Sequence, residues 1–272
     1  MPHHRHQGYA AGTRWDPGQY TKFADDRLRP ALELLGRIPL EAPGEIYDLG
    51  CGAGTVTRMI VEKWTSAAVH GLDNSREMLE KAAKESAIVQ WMEADIRTWK
   101  PMKTPDLIFS NATLQWVEKH EKLFPRLVRY LNPGGCLAVQ MPLSWGLPSH
   151  RLMRETLADG GPEGRALGSE ALRESVAQKW VEDAGFYYDL LSASTSRLDI
   201  WETEYLHLLR GDDPVLEWVK GTGLRPILNS LKGDALDLFL KEYRARLRNA
   251  YPARPDGITL YPFRRLFIVA IV

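Results

Sequence analysis

The chain has 272 residues, enough for one large domain, and its apolar content of 44% supplies a sizeable core. Its 35 basic and 35 acidic residues cancel, which removes the basic surface that binding to a phosphate backbone requires, so no nucleic-acid partner is expected. No apolar run approaches the roughly 20 residues of a membrane span, and no apolar segment follows the basic residues at the start to make a secretory signal. Cys51 and Cys136 fall in a glycine turn and a predicted strand, which suggests buried thiols in a reducing, cytoplasmic setting rather than a disulfide framework.

Residues 1–14 carry His3, His4 and His6 among glycines and read as a mobile tail. With no cysteine or acid at fixed spacing, these histidines do not make a metal site, and no metal is expected. Trp15-Asp16-Pro17 then reads as a helix start, with Asp16 as N-cap and Pro17 at the first helical position. Gln19 to Phe23 and Asp26 to Leu35 are predicted helices, the second with Leu28, Ala31, Leu32 and Leu35 on one face. Over residues 15–36, Trp15, Tyr20 and Phe23 have two readings: simple packing, or a lid closing over a ligand.

The stretch from Ile46 to Thr55 runs from alternating apolar residues into Gly50, Gly52 and Gly54, and a helical pattern follows to about Trp64. It reads as strand, tight turn, helix. Glycine suits such a turn because it tolerates positive φ and lets a ligand approach the backbone. The dinucleotide fingerprint spaces its glycines differently, and here an acid, Asp48, sits in the strand end. A carboxylate there repels a pyrophosphate and favours a ligand with a positive charge near the turn. Val69 to Asp73 is a second strand. Asp73 lies 23 residues past Gly50, near the spacing of an acid that accepts ribose hydroxyls. Its other reading is a surface acid capping the next helix, Glu77 to Ala87, although Ser75, three residues before Met78, also suits that cap.

Val89 to Asp95 is a third strand, and Pro105 to Asn111 a fourth that ends in Ser110-Asn111. Ala112 to Val117 leads into a helix. Glu121 to Leu131 is a helix stopped by Asn132-Pro133-Gly134-Gly135, and Cys136 to Met141 is a fifth strand. Strands alternating with helices predict an α/β fold, a parallel sheet wound on both faces. Ligands in such sheets sit outside the carboxyl ends of the strands, where Asp48, Asp73, Asp95 and Asn111 all fall. The pattern then changes. Residues 143–185 read as helices and loops over that rim, with Trp145, His150, Arg151 and Arg154 among them. Leu198 to Leu206 is a strand, Asp213 to Val219 and Gly233 to Ala250 are helices, and Phe263 to Val272 is the closing strand. Residues 207–256 make a second insertion into the single domain expected over 15–272.

The spacing Asp48-x-Gly50-x-Gly52-x-Gly54 resembles the first motif of class I S-adenosylmethionine (SAM)-dependent methyltransferases. Further stretches are similar to the trans-aconitate methyltransferase family: Trp15 to Tyr20, Arg27 to Pro30, Tyr47 to Gly52, Ala138 to Pro142, Glu217 to Pro226 and Tyr261 to Phe267. The block Trp218-Val219-Lys220-Gly221-Thr222-Gly223-Leu224-Arg225-Pro226 is the most specific. The tail before Trp15 departs from the family, and Gly146 to Gly168 match it weakly.

The resemblance implies a Rossmann-like sheet, mostly parallel with an antiparallel final strand, and helical cap insertions. It implies SAM as cofactor and a small carboxylate as substrate, most closely trans-aconitate, esterified at one carboxylate. Asp48 and the three glycines then belong to the cofactor site, together with Trp15 and Tyr20. Asp73, with Asn74 and Met78, faces the ribose. Asp95 reads the adenine amino group, framed by Ala94 and Ile96. Asn111, Ala112, Gln115 and Trp116 sit beside the methionine carbons. The sequence Asn111-Ala112-Thr113-Leu114 departs from the signature of DNA amino-methyltransferases.

A carboxylate nucleophile is already ionised at neutral pH, so the resemblance implies no catalytic acid or base. The substrate needs cations and donors instead. Arg29, Trp145, His150, Arg225, Tyr261 and Arg264 are the expected substrate-binding residues. His150 is also readable as a plain polar residue of the cap, and Arg225 and Arg264 as members of surface salt bridges. A SAM-dependent enzyme acting on another small molecule, or a SAM-binding protein without catalysis, are the alternative functions.

Overall fold

The strands predicted around the glycine turn assemble into one seven-stranded sheet. In chain order they are β1 (Glu45–Leu49), β2 (Ala68–Asp73), β3 (Gln90–Glu93), β4 (Leu107–Asn111), β5 (Cys136–Pro142), β6 (Arg197–Leu209) and β7 (Thr259–Ile271). Their spatial order is β3-β2-β1-β4-β5-β7-β6. The pairs β1–β2, β1–β4, β2–β3 and β4–β5 are parallel. β7 runs antiparallel to both of its neighbours, β5 and β6. The antiparallel final strand is therefore as expected, but it lies inside the sheet and leaves β6 at the edge. It also starts at Thr259 rather than Phe263, because pairing with the full length of β6 extends it. Strand order reverses at β1 and β4, whose carboxyl ends carry Asp48 and Asn111.

The computed structural model describes residues 28–272. The expectations for residues 1–14, for the helix over 19–23 and for Trp15, Tyr20 and Phe23 lie outside the described residues. The described helices are α1 (Arg29–Arg37), α2 (Thr55–Lys63), α3 (Arg76–Glu85), α4 (His120–Val128), α5 (Pro148–Asp159), α6 (Glu170–Ala177), α7 (Ala184–Leu191), α8 (Pro214–Lys220), α9 (Arg225–Ser230) and α10 (Gly233–Ala250). The helix expected to grow from Ala112–Val117 is a single 3-10 turn, Leu114–Trp116. Among the described residues, no helix is long and apolar enough to cross a membrane.

Two apolar layers sandwich the sheet. Leu34 and Leu35 of α1 and Ile60 of α2 pack with Ile46, Phe109, Phe267 and Val269 on one face. Leu123, Phe124 and Leu127 of α4 and Tyr187 and Leu191 of α7 pack with Leu49, Ile108, Val139 and Ile268 on the other. Burying one such side chain contributes roughly 1.5–3 kcal/mol. A third core gathers Met153 and Leu157 of α5, Leu172 of α6, Val215 and Val219 of α8, Ile227 of α9 and Phe239 and Tyr243 of α10 against Tyr261 and Phe263 of β7. The two segments expected as insertions thus share one core, seated at the start of β7.

Pro30 in its first turn suits α1 to a helix start, and apolar burial holds the helix on the sheet. Its position along the edge is set by Glu33. Trp201 Nε1 donates to Glu33 Oε1 at 2.8 Å and the Thr203 hydroxyl donates to the same oxygen at 2.7 Å. The Tyr205 hydroxyl donates to Oε2. Burial pushes the Glu33 carboxyl up, but these three hydrogen bonds and Arg37 outweigh it and hold its pKa below the usual value. Hydrogen bonds to a charged group are each worth about 1.5–3 kcal/mol, and deletion orphans the donors. Glu33→Ala should therefore lower the free energy of unfolding by about 2–4 kcal/mol, measured by chemical denaturation; a loss below about 0.5 kcal/mol would show that α1 is held by apolar packing alone.

Candidate active site

The turn after β1 is built from residues that no side chain could replace freely. Gly50, Gly52 and Gly54 have φ of 77°, 55° and 78°, the left-handed region that disfavours side chains. At Gly50 a Cβ would lie 2.1 Å from Thr113, whose hydroxyl donates to the Gly50 carbonyl at 3.2 Å. At Gly52 a Cβ would meet nothing within 4 Å. The first glycine is therefore needed for packing, and the second borders open space at the rim. Thr113 is a residue the sequence reading did not single out.

Asp48 is 2% exposed and lies beneath this turn rather than on its surface. Thr57, in the first turns of α2, donates to its Oδ2 at 2.6 Å. Burial pushes the carboxyl up to about 7, against the Thr57 hydrogen bond and with help from the nearby Asp73 charge. Asp48 thus fastens the start of α2 to β1, and its ionised form is favoured when a cation comes close.

Asp73 is half-buried and links two loops. Gly52 N–H donates to its Oδ2 at 2.9 Å, and Ser75 N–H donates to its Oδ1 at 2.8 Å. Each oxygen keeps a lone pair for another donor. Ser75 is the N-cap of α3, accepting from Met78 N–H at 3.4 Å. The capping alternative for Asp73 is thereby taken by Ser75. Asn74 is exposed and Met78 half-buried on the same turn.

The remaining rim residues follow the ends of β3 and β4. Ala94 N–H donates to the Asp73 carbonyl at 3.0 Å, bringing the Ala94–Ile96 segment beside the β2 end. The Asp95 carboxylate is occupied by its neighbour: Arg97 Nε donates to both oxygens, and Nη2 to Oδ2 at 2.5 Å. These contacts hold its pKa below the usual range. Asn111 has a buried Oδ1 with no hydrogen-bond partner, and so does Gln115 at Oε1. Ala112 has a φ of 53°, a strained value for a residue with a Cβ. Its N–H is anchored on the Gln140 carbonyl at 2.9 Å, and its own carbonyl accepts from Gln115 Nε2 at 2.7 Å. Trp116 is 51% exposed.

The expected substrate residues fare unevenly. Arg29 lies over the Tyr205 ring at 5.2 Å. Trp145 donates its Nε1 to the Ala177 carbonyl at 3.0 Å, and Arg154 stacks on its ring at 4.0 Å, so it braces α5 against α6. His150 is half-buried, with Nδ1 3.1 Å from Ser149 Oγ, and its ring lies where a Cβ on Gly223 would fall. Burial pushes it down to about 4, so it is neutral at pH 7. Tyr261 is fully buried and bonded to Ser149 Oγ at 3.1 Å, which makes it a member of the cap core rather than a free donor. Arg225 is exposed at the start of α9. Arg264 forms a surface salt bridge, the other reading of it: strand alternation turns it to the face of β7 that carries Leu266, where it is exposed and paired with Glu202. Its neighbour Arg265, which the sequence reading did not select, turns inward and is 8% exposed. Among the described residues, no cluster of three His, Cys, Asp or Glu side chains forms a metal site.

A methyltransferase-domain family matches residues 46–135, from β1 to the turn before β5. The trans-aconitate 2-methyltransferase of Azoarcus sp. (strain BH72) is 46% identical over 257 residues, covering 94% of this chain and 98% of that protein. The trans-aconitate 2-methyltransferase of Streptomyces avermitilis is 48% identical over 269 residues, covering 96% and 98% respectively. Among solved structures, the phosphoethanolamine N-methyltransferase 2 of Haemonchus contortus in complex with phosphomonomethylethanolamine and S-adenosylhomocysteine has a similar fold, with a TM-score of 0.52 at 18% identity. It covers 89% of this chain, and this chain spans about half of it, 52%.

The buried Asp48 carboxyl makes stability depend on pH. Its folded pKa, about 7, lies above the ordinary 3.8. Below pH 3.8 it is protonated whether folded or unfolded. Between these values the unfolded chain releases the proton first, so stability falls as pH rises, and the loss is complete above about 7. Asp48→Asn keeps an acceptor for Thr57 without this loss. Compared by denaturant midpoint, Asp48→Asn should gain on the wild type from pH 4 to about pH 7 and level off above it. A difference that stays constant over that range would contradict the assignment.

Proposed function

Because the chain belongs to the trans-aconitate 2-methyltransferase family, we infer that it uses SAM to convert one carboxylate of trans-aconitate into a methyl ester. The observation that carries this reading is near-full-length similarity joined to a rim whose acceptors and open space suit the cofactor. The fit rests on three features: the open cradle at Gly52, the two Asp73 oxygens with lone pairs left, and the buried unpartnered Oδ1 of Asn111. When bound, SAM supplies a sulfonium methyl group that a carboxylate oxygen takes as the carbon–sulfur bond breaks, leaving S-adenosylhomocysteine and transferring no proton.

The chain's own contribution is binding and placement. Asp73 accepts the ribose hydroxyls. Ala94 and Ile96 frame the adenine, and Asp95 accepts its amino group on an oxygen shared with Arg97. Asn111 and the Ala112 turn lie beside the amino-acid end, whose positive charge favours the ionised form of Asp48 beneath. Arg29 and Arg225 supply positive charge on the substrate side. No residue is assigned as acid or base. His150 is neutral and packed on Gly223, and the nucleophile needs no deprotonation. Orientation and exclusion of water then carry the rate, and placement alone is worth roughly 7–11 kcal/mol. In the same reading, residues 15–272 form one methyltransferase domain, and the insertions over 143–185 and 207–256 form its cap, consistent with their common core.

Incubation with SAM and trans-aconitate should give a single product carrying one alkali-labile methyl group, identified by mass spectrometry. Absence of any ester from this tricarboxylate, in protein that binds S-adenosylhomocysteine, would overturn the reading. In the same protein, Asp73→Ala should weaken SAM at least tenfold, about 1.4 kcal/mol, by calorimetry. An unchanged dissociation constant in a folded variant would remove Asp73 from the cofactor site.

A further inference from the structure

The face of the sheet that packs against α1 carries a polar group the cofactor site leaves unexplained. Gln140 of β5 pairs directly with Asn111 of β4 on one side and Phe267 of β7 on the other. Arg265 sits two residues before Phe267 on β7, so alternation places it on the same face as Gln140 and Phe267. It is a diagonal neighbour of Gln140, within reach of long side chains. Gln140 is fully buried, and neither its Nε2 nor its Oε1 has a partner. The Arg265 Nε is buried and unpartnered as well, and among the described residues no carboxylate forms an ion pair with this guanidinium.

A purely structural role accounts for this group poorly. Arg265 lies over the Phe263 ring at 4.9 Å and near the Tyr205 ring at 6.0 Å. Such contacts soften burial of the charge, but they offer the N–H groups no acceptor. Glu33, held by side chains of the neighbouring β6, is already committed to Trp201, Thr203 and Tyr205. A buried cation without an anion and a buried amide without partners are each unfavourable in a folded protein. A planar carboxylate answers the cation and the amide donor together: two oxygens for the guanidinium fork, and an acceptor for Gln140 Nε2. Direct pairing of Gln140 with Asn111 makes this group continuous with the cofactor rim, and Arg29, over the other reach of Tyr205, adds positive charge.

We propose that Gln140 and Arg265 form the carboxylate subsite that holds a non-reacting carboxylate of the substrate and so selects polycarboxylates. This rests on the methyl-ester reading above. Both are specificity-determining residues, and they leave the cofactor untouched.

The test uses the full chain with trans-aconitate as the probe, steady-state kinetics, calorimetry with S-adenosylhomocysteine, and thermal melts. Arg265→Met should raise KM for trans-aconitate at least tenfold and change S-adenosylhomocysteine affinity less than twofold. Arg265→Lys, which keeps the charge but not the fork, should fall between it and the wild type. Gln140→Met removes an unpaired amide at similar volume, so it should raise the melting temperature while raising KM at least threefold. A purely structural glutamine would lose stability instead, and that result overturns the proposal. So does a KM within twofold of wild type in folded Arg265→Met, or an equal loss of S-adenosylhomocysteine binding. If Arg265→Met does not fold, Gln140→Met decides: an unchanged KM there overturns the subsite. Wild-type protein that binds S-adenosylhomocysteine but never methylates trans-aconitate overturns the functional reading and the subsite together, whereas active wild type with unaltered variants overturns the subsite alone.

Discussion

Three loops at the carboxyl ends of the strands hang on one residue. The Asp73 carboxylate accepts Gly52 N–H and Ser75 N–H, and its backbone carbonyl accepts Ala94 N–H. The turn after β1, the start of α3 and the segment after β3 are thereby fixed to each other at the carboxyl end of β2. The left-handed glycines make the first of these loops thin enough to stand beside that carboxylate, and Thr113 fills the space that a side chain at Gly50 would need. A charge-assisted bond to each oxygen is stronger than a neutral one, so the rim is organised before any ligand arrives. Beneath it Asp48 and Thr57 lock α2 to β1. The rim proposed for the cofactor is thus built from strand ends and helix starts, which is where doubly wound sheets place their ligands.

The proposed substrate side is organised differently, by the antiparallel pair β6–β7. Alternation along these strands puts Trp201, Tyr205, Phe263, Arg265 and Phe267 on the face that α1 covers, and sends Arg264 to the opposite one. Glu33 clamps α1 to that pair, which positions Arg29 over Tyr205. Beyond them the cap core closes around Tyr261, with Ser149 tied to Tyr243, Tyr251 and Tyr261. The sheet edge and the core of the two insertions thus share the first residues of β7.

The sheet was legible in the sequence because each parallel strand is an apolar run punctuated by glycine, proline or an acid. Asp48, Asp73 and the glycines stood out for the same reason. What stayed hidden depends on facing and register. In β7 the run from Leu266 to Ile271 is apolar at every position because both faces are covered, so no alternation tells Arg264 from Arg265. Gln140 did leave a signal, as a lone polar residue inside the buried run Leu137 to Met141. α7 escaped because its sequence, Ala184 to Leu191, is apolar almost all round and shows no helical period, although Asp183 caps it by accepting from Phe186 N–H. Ser75 as helix cap was legible locally, whereas the occupation of Asp95 by Arg97 required the conformation of the turn itself.

In this reading one rim holds the cofactor through Asp73 while the neighbouring face of β5 and β7 receives the tricarboxylate. A crystal structure of the protein with S-adenosylhomocysteine and trans-aconitate measures both at once. The ribose hydroxyls should lie within hydrogen-bond distance of Asp73, and one substrate carboxylate on Arg265, with another facing the sulfur. Electron density that places the ribose away from Asp73, or the tricarboxylate on the outer face beside Arg264, would contradict it.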